Sequence, residues 1–394
     1  MKISKHSILL YIMAICLVAG SSGYLRLLNG ASFVIKFIEG IMVLYYLFLN
    51  LFKVHKIEKY SALIIVFYAL LLLSTIMGTK DYSTFFVCMI QGISATLFLE
   101  YEIRHNYVNI IKVLRNVLLA FLIVNLFLLL VAPNGFAGSG AQTYYFLGYR
   151  IGFTPFVVAE LFFSFCYDFL TNTKLSRFTI FSLLIGYATV IIKNVSTGIA
   201  GITIVLILIT IFYFIKRCID YKLFLILYGI VFIGIVFFEI QYKSSTLSYF
   251  LIDVLGKEDL TFDNRTTIWA ATILDFMKSP ILGHGSGALV SVNFVYSTPL
   301  LPAHNQILSI LNEGGLLSLG IFILINLQID KSIKKVKHSF LEIILLSFLA
   351  GYFLMMITEI QTTKALVFLI FATAVHLPNI IYEKDKGTLI TFDK

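Results

Sequence analysis

Residues 197–215 read TGIAGITIVLILITIFYFI. After the basic turn KRCIDY (216–221), residues 222–240 read KLFLILYGIVFIGIVFFEI. Each run matches the roughly 20 apolar residues that a helix needs to cross a hydrocarbon core about 30 Å thick. A charged turn between two such runs is a helical hairpin through a membrane. Working outward in both directions, the same pattern recurs at 7–23, 32–52, 60–77, 83–100, 112–132, 151–170 and 177–193, and again at 304–328, 339–358 and 363–382. The composition agrees, with 59% hydrophobic and 13% charged residues, too few polar groups to cover a soluble surface. The expectation is an all-α polytopic membrane protein with about twelve transmembrane helices, forming a single transmembrane domain over 1–394.

The orientation follows from the basic residues. With the N-terminus in the cytoplasm, the inner segments hold Lys2, Lys5, Lys53, Lys56, Lys59, Arg104, Lys112, Arg115, Lys174, Arg177, Lys216, Arg217 and Lys222. They also hold Lys331, Lys334, Lys335, Lys337, Lys384, Lys386 and Lys394, in all twenty of the thirty Lys and Arg residues. Such a bias marks the cytoplasmic side, and an even number of spans returns the C-terminus there. The net charge of +9 is then a topology signal and not a nucleic-acid footprint. The first run has basic residues before it and no small-residue cleavage site, so it reads as a retained span. Cys16, Cys88 and Cys166 fall in spans and Cys218 in an inner turn, which gives neither a disulfide framework nor metal-ligand spacing.

Two segments face outward and break the apolar pattern. One is Pro133–Arg150, PNGFAGSGAQTYYFLGYR, and the other is the long loop 241–303. Within the long loop, Asp263 or Asn264 can cap a short helix on which Ile268, Trp269, Thr272, Ile273 and Phe276 share one face. That helix is expected on the outer membrane surface or against the bundle, with Trp269 at headgroup depth. The glycine-rich run 283–287 lacks the preceding strand that a phosphate-cradling loop needs.

Five polar residues in or beside these segments carry the candidate chemistry. Arg150 heads a span, where an arginine can simply snorkel or can clamp an anion with its planar fork. Arg265 lies near the start of the loop helix, against the helix dipole, and so calls for a partner anion, Asp263 being one candidate. His304 opens a span after Pro302-Ala303. It is either a helix-start histidine satisfied by water or a general base, since imidazole titrates near neutrality. His284 competes for that role but is expected to be held less firmly among its glycine neighbours. Glu313 lies about two and a half turns below His304, where a carboxyl needs a partner or a cavity, and reads as structural or supporting.

Together these residues resemble the O-antigen polymerase (Wzy-type) and O-antigen ligase (WaaL-type) superfamily of bacterial membrane glycosyltransferases. The resemblance is carried by Arg265 with Trp269, Pro280-Ile281-Leu282-Gly283-His284-Gly285, His304-Asn305-Gln306-Ile307-Leu308, Glu313-Gly314-Gly315-Leu316-Leu317 and Gly320. Ser196-Thr197 is similar to the family's Ser-Arg position, with Thr in place of Arg. The resemblance implies a GT-C-like helical bundle that transfers a glycan from undecaprenyl pyrophosphate at the outer face of the bacterial cytoplasmic (inner) membrane. His304 would be the catalytic base, Arg150 and Arg265 would bind the pyrophosphate, and Trp269, Asn305 and Glu313 would support them. It implies no metal or other cofactor. The implied partners are the lipid-linked glycan, membrane lipid and a chain-length regulator protein.

A polymerase and a ligase need the same donor clamp. The compact chain, its 37 Phe and 22 Tyr, and Thr197 favour the polymerase. A lipid-linked oligosaccharide flippase would place charge inside its spans. The sequence shows mainly Lys36, Glu39, Glu160, Asp168 and Glu313 there, with the polar weight outside.

Overall fold

The computed structural model describes residues 5–54, 57–138, 143–172, 175–241, 265–292 and 298–385. In chain order its helices are α1 (Lys5–Gly20), α2 (Gly23–Leu27), α3 (Asn29–Phe48), α4 (Lys59–Met77), α5 (Tyr82–Val131) and α6 (Phe153–Leu170). They continue as α7 (Arg177–Ile192), α8 (Ser196–Ile215), α9 (Tyr221–Gln241), α10 (Arg265–Phe276), α11 (Gln306–Ile333), α12 (Phe340–Met356) and α13 (Ala365–Asp385). Two small antiparallel hairpins complete the described elements, β1 (Tyr144–Tyr145) with β2 (Gly148–Tyr149) and β3 (Val290–Ser291) with β4 (Leu300–Leu301).

Every expected apolar run falls on a helix. Seven of the described helices are long and apolar enough to cross a membrane, and α1, α7 and α12 are shorter apolar helices of 16, 16 and 17 residues. The chain is a multi-pass membrane protein. The runs 83–100 and 112–132 are the two halves of the 50-residue α5, which breaks at Asn106 (φ −156°, ψ 84°). There the Asn106 side chain accepts from the Asn109 N–H at 3.0 Å, capping the second half.

Hydrogen bonds between connections sort the helix ends into two sets. At one end Gly23 N–H donates to Leu147 O, Thr79 N–H to His284 O and Lys193 Nζ to Pro133 O. At the other, Arg104 pairs with Glu58, Ser176 N–H donates to Asp168, Lys222 N–H donates to Asp330 and Lys334 pairs with Asp220. The second end gathers the lysine-rich connections, as the charge pattern requires.

That end also corrects one expectation. The spans hold more ionisable groups than the few noted above, because Glu100, Glu102, Arg115, Asp330, Glu342 and His376 are buried as well. His376 Nε2 is buried without a hydrogen-bond partner among the described residues, and the others are engaged by their neighbours: Glu100 accepts from Arg104, Glu102 accepts from the Tyr46 hydroxyl, and the Arg115 guanidinium stacks on Tyr167 and Phe178. Buried charge is tolerated when it is paired in this way, so these groups act in packing.

The segment that places the site is a splice between the long loop and α11. In an unbroken helix, Leu316 and Leu317 N–H would bond to the carbonyls of Asn312 and Glu313. Instead those carbonyls accept from His284 N–H (2.7 Å) and Gly285 N–H (2.8 Å), while Leu316 and Leu317 N–H donate to Pro280 O (2.9 Å) and Ile281 O (3.3 Å). Helix α11 breaks at Gly315 (φ 64°, ψ −166°), a conformation open essentially to glycine alone. Close approach requires the other glycines too, since a Cβ on Gly283 would lie 2.6 Å from the Glu313 carbonyl carbon. The C-terminal end of α4 closes the far side, with Ser74 Oγ donating to Glu313 O and the Ser286 N–H donating to Thr75 Oγ1.

An orphaned backbone group in a lipid-facing span costs several kcal/mol, so a broken helix survives only where something else fills its bonds. The 280–285 segment does that. Gly315→Ala forces the chain out of this conformation and drives a Cβ into Ile281 O. It is expected to cost about 3 kcal/mol or more, from a strained conformation worth roughly 1–3 kcal/mol plus the clash. Gly320→Ala, whose Cβ meets nothing within 4 Å, is the control. Thermal unfolding in detergent should separate the two, and equal melting temperatures would contradict the splice.

Candidate active site

The site grows from the first residues of α11. Asn305 caps the helix, its Oδ1 accepting from Leu308 N–H at 3.0 Å, while its Nδ2 donates to Ile357 O at 2.8 Å. Gln306 Oε1 accepts from the N–H groups of Gln361 (2.7 Å) and Thr362 (3.0 Å), and its Nε2 donates to Thr362 Oγ1 at 2.8 Å. Both side chains are fully buried. They therefore clamp the connection between α12 and α13 onto the head of α11.

His304 stands immediately before this cap with φ 50°, a left-handed backbone that a histidine adopts only when its surroundings hold it there. Its imidazole is half-buried, between Arg265 and Glu359 in electrostatic terms. Burial lowers its pKa from the ordinary 6.5; Glu359 opposes that shift and Arg265 adds to it. The ring is thus held neutral and able to accept a proton at neutral pH.

Arg265 opens α10 and donates from Nη1 to Thr358 O (2.6 Å) and from Nη2 to Glu359 Oε1 (2.9 Å). These bonds use two of the five N–H donors of a guanidinium. The expected partner anion is therefore Glu359; the alternative, Asp263, and the cap residue Asn264 lie outside the described residues.

Trp269 decides between the two expected placements of α10, the membrane surface and the bundle, in favour of the bundle. It is fully buried, packed with Phe232, Ala303 and Leu308, and partly buried Ile273 and Ile357 lie against the same cluster. The reason is the amphipathic face itself. Ile268, Trp269 and Thr272 are buried against protein, so α10 lies on the bundle and its indole fixes the helix that carries Arg265. Trp269 does not face lipid headgroups.

His284 is a second correction. Far from being loosely held, it is pinned through its backbone N–H and carbonyl, and its ring Nε2–H donates to Asp275 O at 2.8 Å. The glycines do not loosen the segment; their positive φ values, 71° at Gly283 and 100° at Gly285, let it press against α11 and α4. With its ring bonded inside the splice, His284 has a structural place.

Glu313 lies at the break. Its carboxylate accepts from Ser309 Oγ at 2.9 Å and lines a small cavity of about 20 Å³ with Tyr68, Ser286 and Ser318. That is room for about one water. Among the described residues that line this cavity there is no arginine. Arg150 occupies a 3-10 turn at the head of α6, exposed, at the same end of the bundle. Among the described residues it makes no hydrogen bond or ion pair. One link leads toward the site: Pro155 O, in the next turn of α6, accepts from Tyr352 near the end of α12, at 3.0 Å. Ser196 and Thr197 begin α8, exposed and half-buried respectively.

Thus the structure brings together His304, Asn305 and Arg265, supports them with Trp269, and leaves Arg150 and Glu313 at the periphery. Sequence reasoning missed Glu359 and the clamping role of Gln306. The signal available was the polar run Thr358-Glu359-Ile360-Gln361-Thr362-Thr363-Lys364 in a short connection between two spans.

The multi-pass bundle thus gathers a histidine, a paired arginine and a carboxylate at one end, groups whose chemistry allows proton transfer and anion binding. Residues 180–323 match the model of a family described as O-antigen ligase, Wzy_C. Over that segment the chain is similar to that family. The matched segment includes Arg265, Trp269, His284, His304, Asn305 and Glu313, and leaves out Arg150 and Glu359. No curated protein matches this chain.

The charges predict a pH signature. A general base acts when deprotonated, so transfer should rise with pH through the His304 pKa, below the ordinary histidine value. Glu359→Gln removes the group that favours imidazolium and should move this acid limb to lower pH. Arg265→Gln should move it up. A kcat/KM profile whose acid limb stays fixed in both variants would detach His304 from the proton transfer.

Proposed function

We propose that this protein is a polysaccharide polymerase that joins undecaprenyl-pyrophosphate-linked oligosaccharide repeats, for O-antigen or capsule, at the outer face of the bacterial cytoplasmic membrane. The observation that carries the reading is the meeting of His304, Arg265 and Glu359 at one end of the bundle, opposite the lysine-rich end. The lysine-rich end, with both termini, lies in the cytoplasm on this reading.

In the reaction, His304 takes the proton of an acceptor sugar hydroxyl as its oxygen attacks the donor's anomeric carbon. The new C–O bond forms as the anomeric carbon's bond to the pyrophosphate oxygen breaks, and undecaprenyl pyrophosphate leaves with the electron pair. Attack from the face opposite the leaving group inverts the anomeric centre. Arg265 neutralises charge on the departing pyrophosphate with donors beyond the two held by Thr358 and Glu359, and Arg150 approaches the same group from the head of α6. Preorganised cations suffice for a good leaving group, so the step is metal-independent. Losing one such contact raises the barrier by roughly 3 kcal/mol, about a hundredfold in rate. The bundle is GT-C-like on this reading, and a chain-length regulator is its expected protein partner.

The ligase alternative rests on the family description itself. It uses the same donor clamp with a different acceptor. The flippase alternative loses support from the pairing of the buried charges in the spans.

Glycan laddering separates these readings in a strain lacking the protein, complemented with wild type or His304→Ala at matched membrane abundance. Wild type should restore a ladder of many repeats, and His304→Ala should leave single-repeat product. Full restoration by His304→Ala removes the general base, and an unchanged ladder in the deletion strain removes the polymerase. Product linkages that retain the donor's anomeric configuration would refute inversion.

A further inference from the structure

At the end of the bundle opposite His304, the ends of α4, α11 and α13 part around a cavity of about 210 Å³. Its α11 wall is Gln328, Lys331, Ser332 and, in the turn that follows, Lys335, a spacing that puts all four on one helix face. Lys59 enters from the start of α4 and Asn379 from α13.

The charges around this cavity are unevenly matched. Lys334, on the neighbouring face, lies 2.7 Å from Asp330 and 3.4 Å from Asp220. Lys59, Lys331 and Lys335 have no carboxylate partner among the described residues. Glu58, the acidic residue in the wall, lies 2.9 Å from Arg104, which it shares with Glu100 at 2.9 Å. The first turn of α4 opens here without a side-chain cap, adding N–H donors to the same side. The Asn379 amide oxygen is buried with no hydrogen-bond partner among the described residues. It needs a donor, while the three ammonium groups lack an anion, Lys335 having only the Tyr382 ring 5.7 Å from its Nζ.

Lysines at this end serve orientation, and that alone explains basic residues scattered over a surface. It does not explain three of them lining one partly open polar cleft between spans, Lys59 and Lys331 exposed at its rim and Lys335 half-buried, beside a buried amide oxygen that lacks a partner. We propose that this cavity binds a phosphate group, carried by an anionic phospholipid headgroup or by a soluble phosphate. The ammonium groups and the α4 turn take the phosphate oxygens, and Asn379 accepts from a neighbouring hydroxyl. Phosphatidylglycerol offers both chemistries, and basic pockets between spans suit such headgroups. The site does not depend on the reaction proposed above.

The test is native mass spectrometry of the purified protein after exposure to equimolar phosphatidylglycerol and phosphatidylcholine. The pocket variant is Lys59→Gln/Lys331→Gln/Lys335→Gln. The control, Lys53→Gln/Lys112→Gln/Lys216→Gln, removes equal charge from the same end at exposed positions. The pocket variant should lose retained phosphatidylglycerol on the order of a hundredfold, about fivefold per lysine, while the control keeps it. Asn379→Asp, which leaves the lysines in place and adds a repelling charge, should lose it as well and guards against misfolding of the triple variant.

A second arm adds millimolar inorganic phosphate. Displacement of lipid, or lysine-dependent thermal stabilisation by phosphate alone, assigns the site to a soluble phosphate. Retention of phosphatidylglycerol against phosphate assigns it to the lipid. Equal loss in pocket and control variants, or no preference for phosphatidylglycerol over phosphatidylcholine together with no phosphate effect, overturns the proposal.

Discussion

Four backbone hydrogen bonds between residues 280–285 and the broken turn of α11 hold the His304 end of this molecule in register. Two carbonyls and two N–H groups of a span give up each other and take partners from a loop that comes in from that end. In water the exchange would be close to neutral. Inside a bilayer the alternative is unfilled polar backbone, so the exchange is strongly favoured once the segment is in place. The glycines at 283 and 315 make the approach possible, and the C-terminal end of α4 holds the segment from behind.

The consequences run outward to the site. The splice fixes the end of the loop segment that begins with α10, and buried Trp269 fixes the helix itself against the head of α11. Arg265 is thereby set beside the connection between α12 and α13, where it meets Thr358 and Glu359. Asn305 and Gln306 grip the same connection from α11. Three chain segments far apart in sequence thus converge on His304, whose left-handed backbone is the local cost of the arrangement.

Much of this was legible in the sequence, and the rest failed for identifiable reasons. The helices could be read because a bilayer imposes one length and one polarity on every span, as 197–240 shows. The face of α10 could be read from the spacing of Ile268, Trp269 and Thr272, but what that face meets could not, since a face against headgroups and one against a bundle look alike. Glycine near His284 suggested looseness when its purpose was close contact, and only the partner backbone distinguishes those. Glu359 was invisible as a partner of Arg265 because ion pairs across 94 residues leave no local pattern. Glu100 and Asp330 escaped notice, and Arg115 was read only as an orienting charge, because near span ends charge ordinarily reaches water and here it turns inward to a partner.

The central claim is that the mouth formed by His304, Arg265 and Glu359 transfers a glycan from a lipid pyrophosphate. The most direct measurement uses the purified protein in nanodiscs with synthetic undecaprenyl-pyrophosphate oligosaccharide and a chelator, reading glycan length and released lipid pyrophosphate together. The account predicts longer glycans, stoichiometric release of undecaprenyl pyrophosphate, and loss of both in His304→Ala. Elongation that survives His304→Ala, or that stops when the chelator is added, would contradict it.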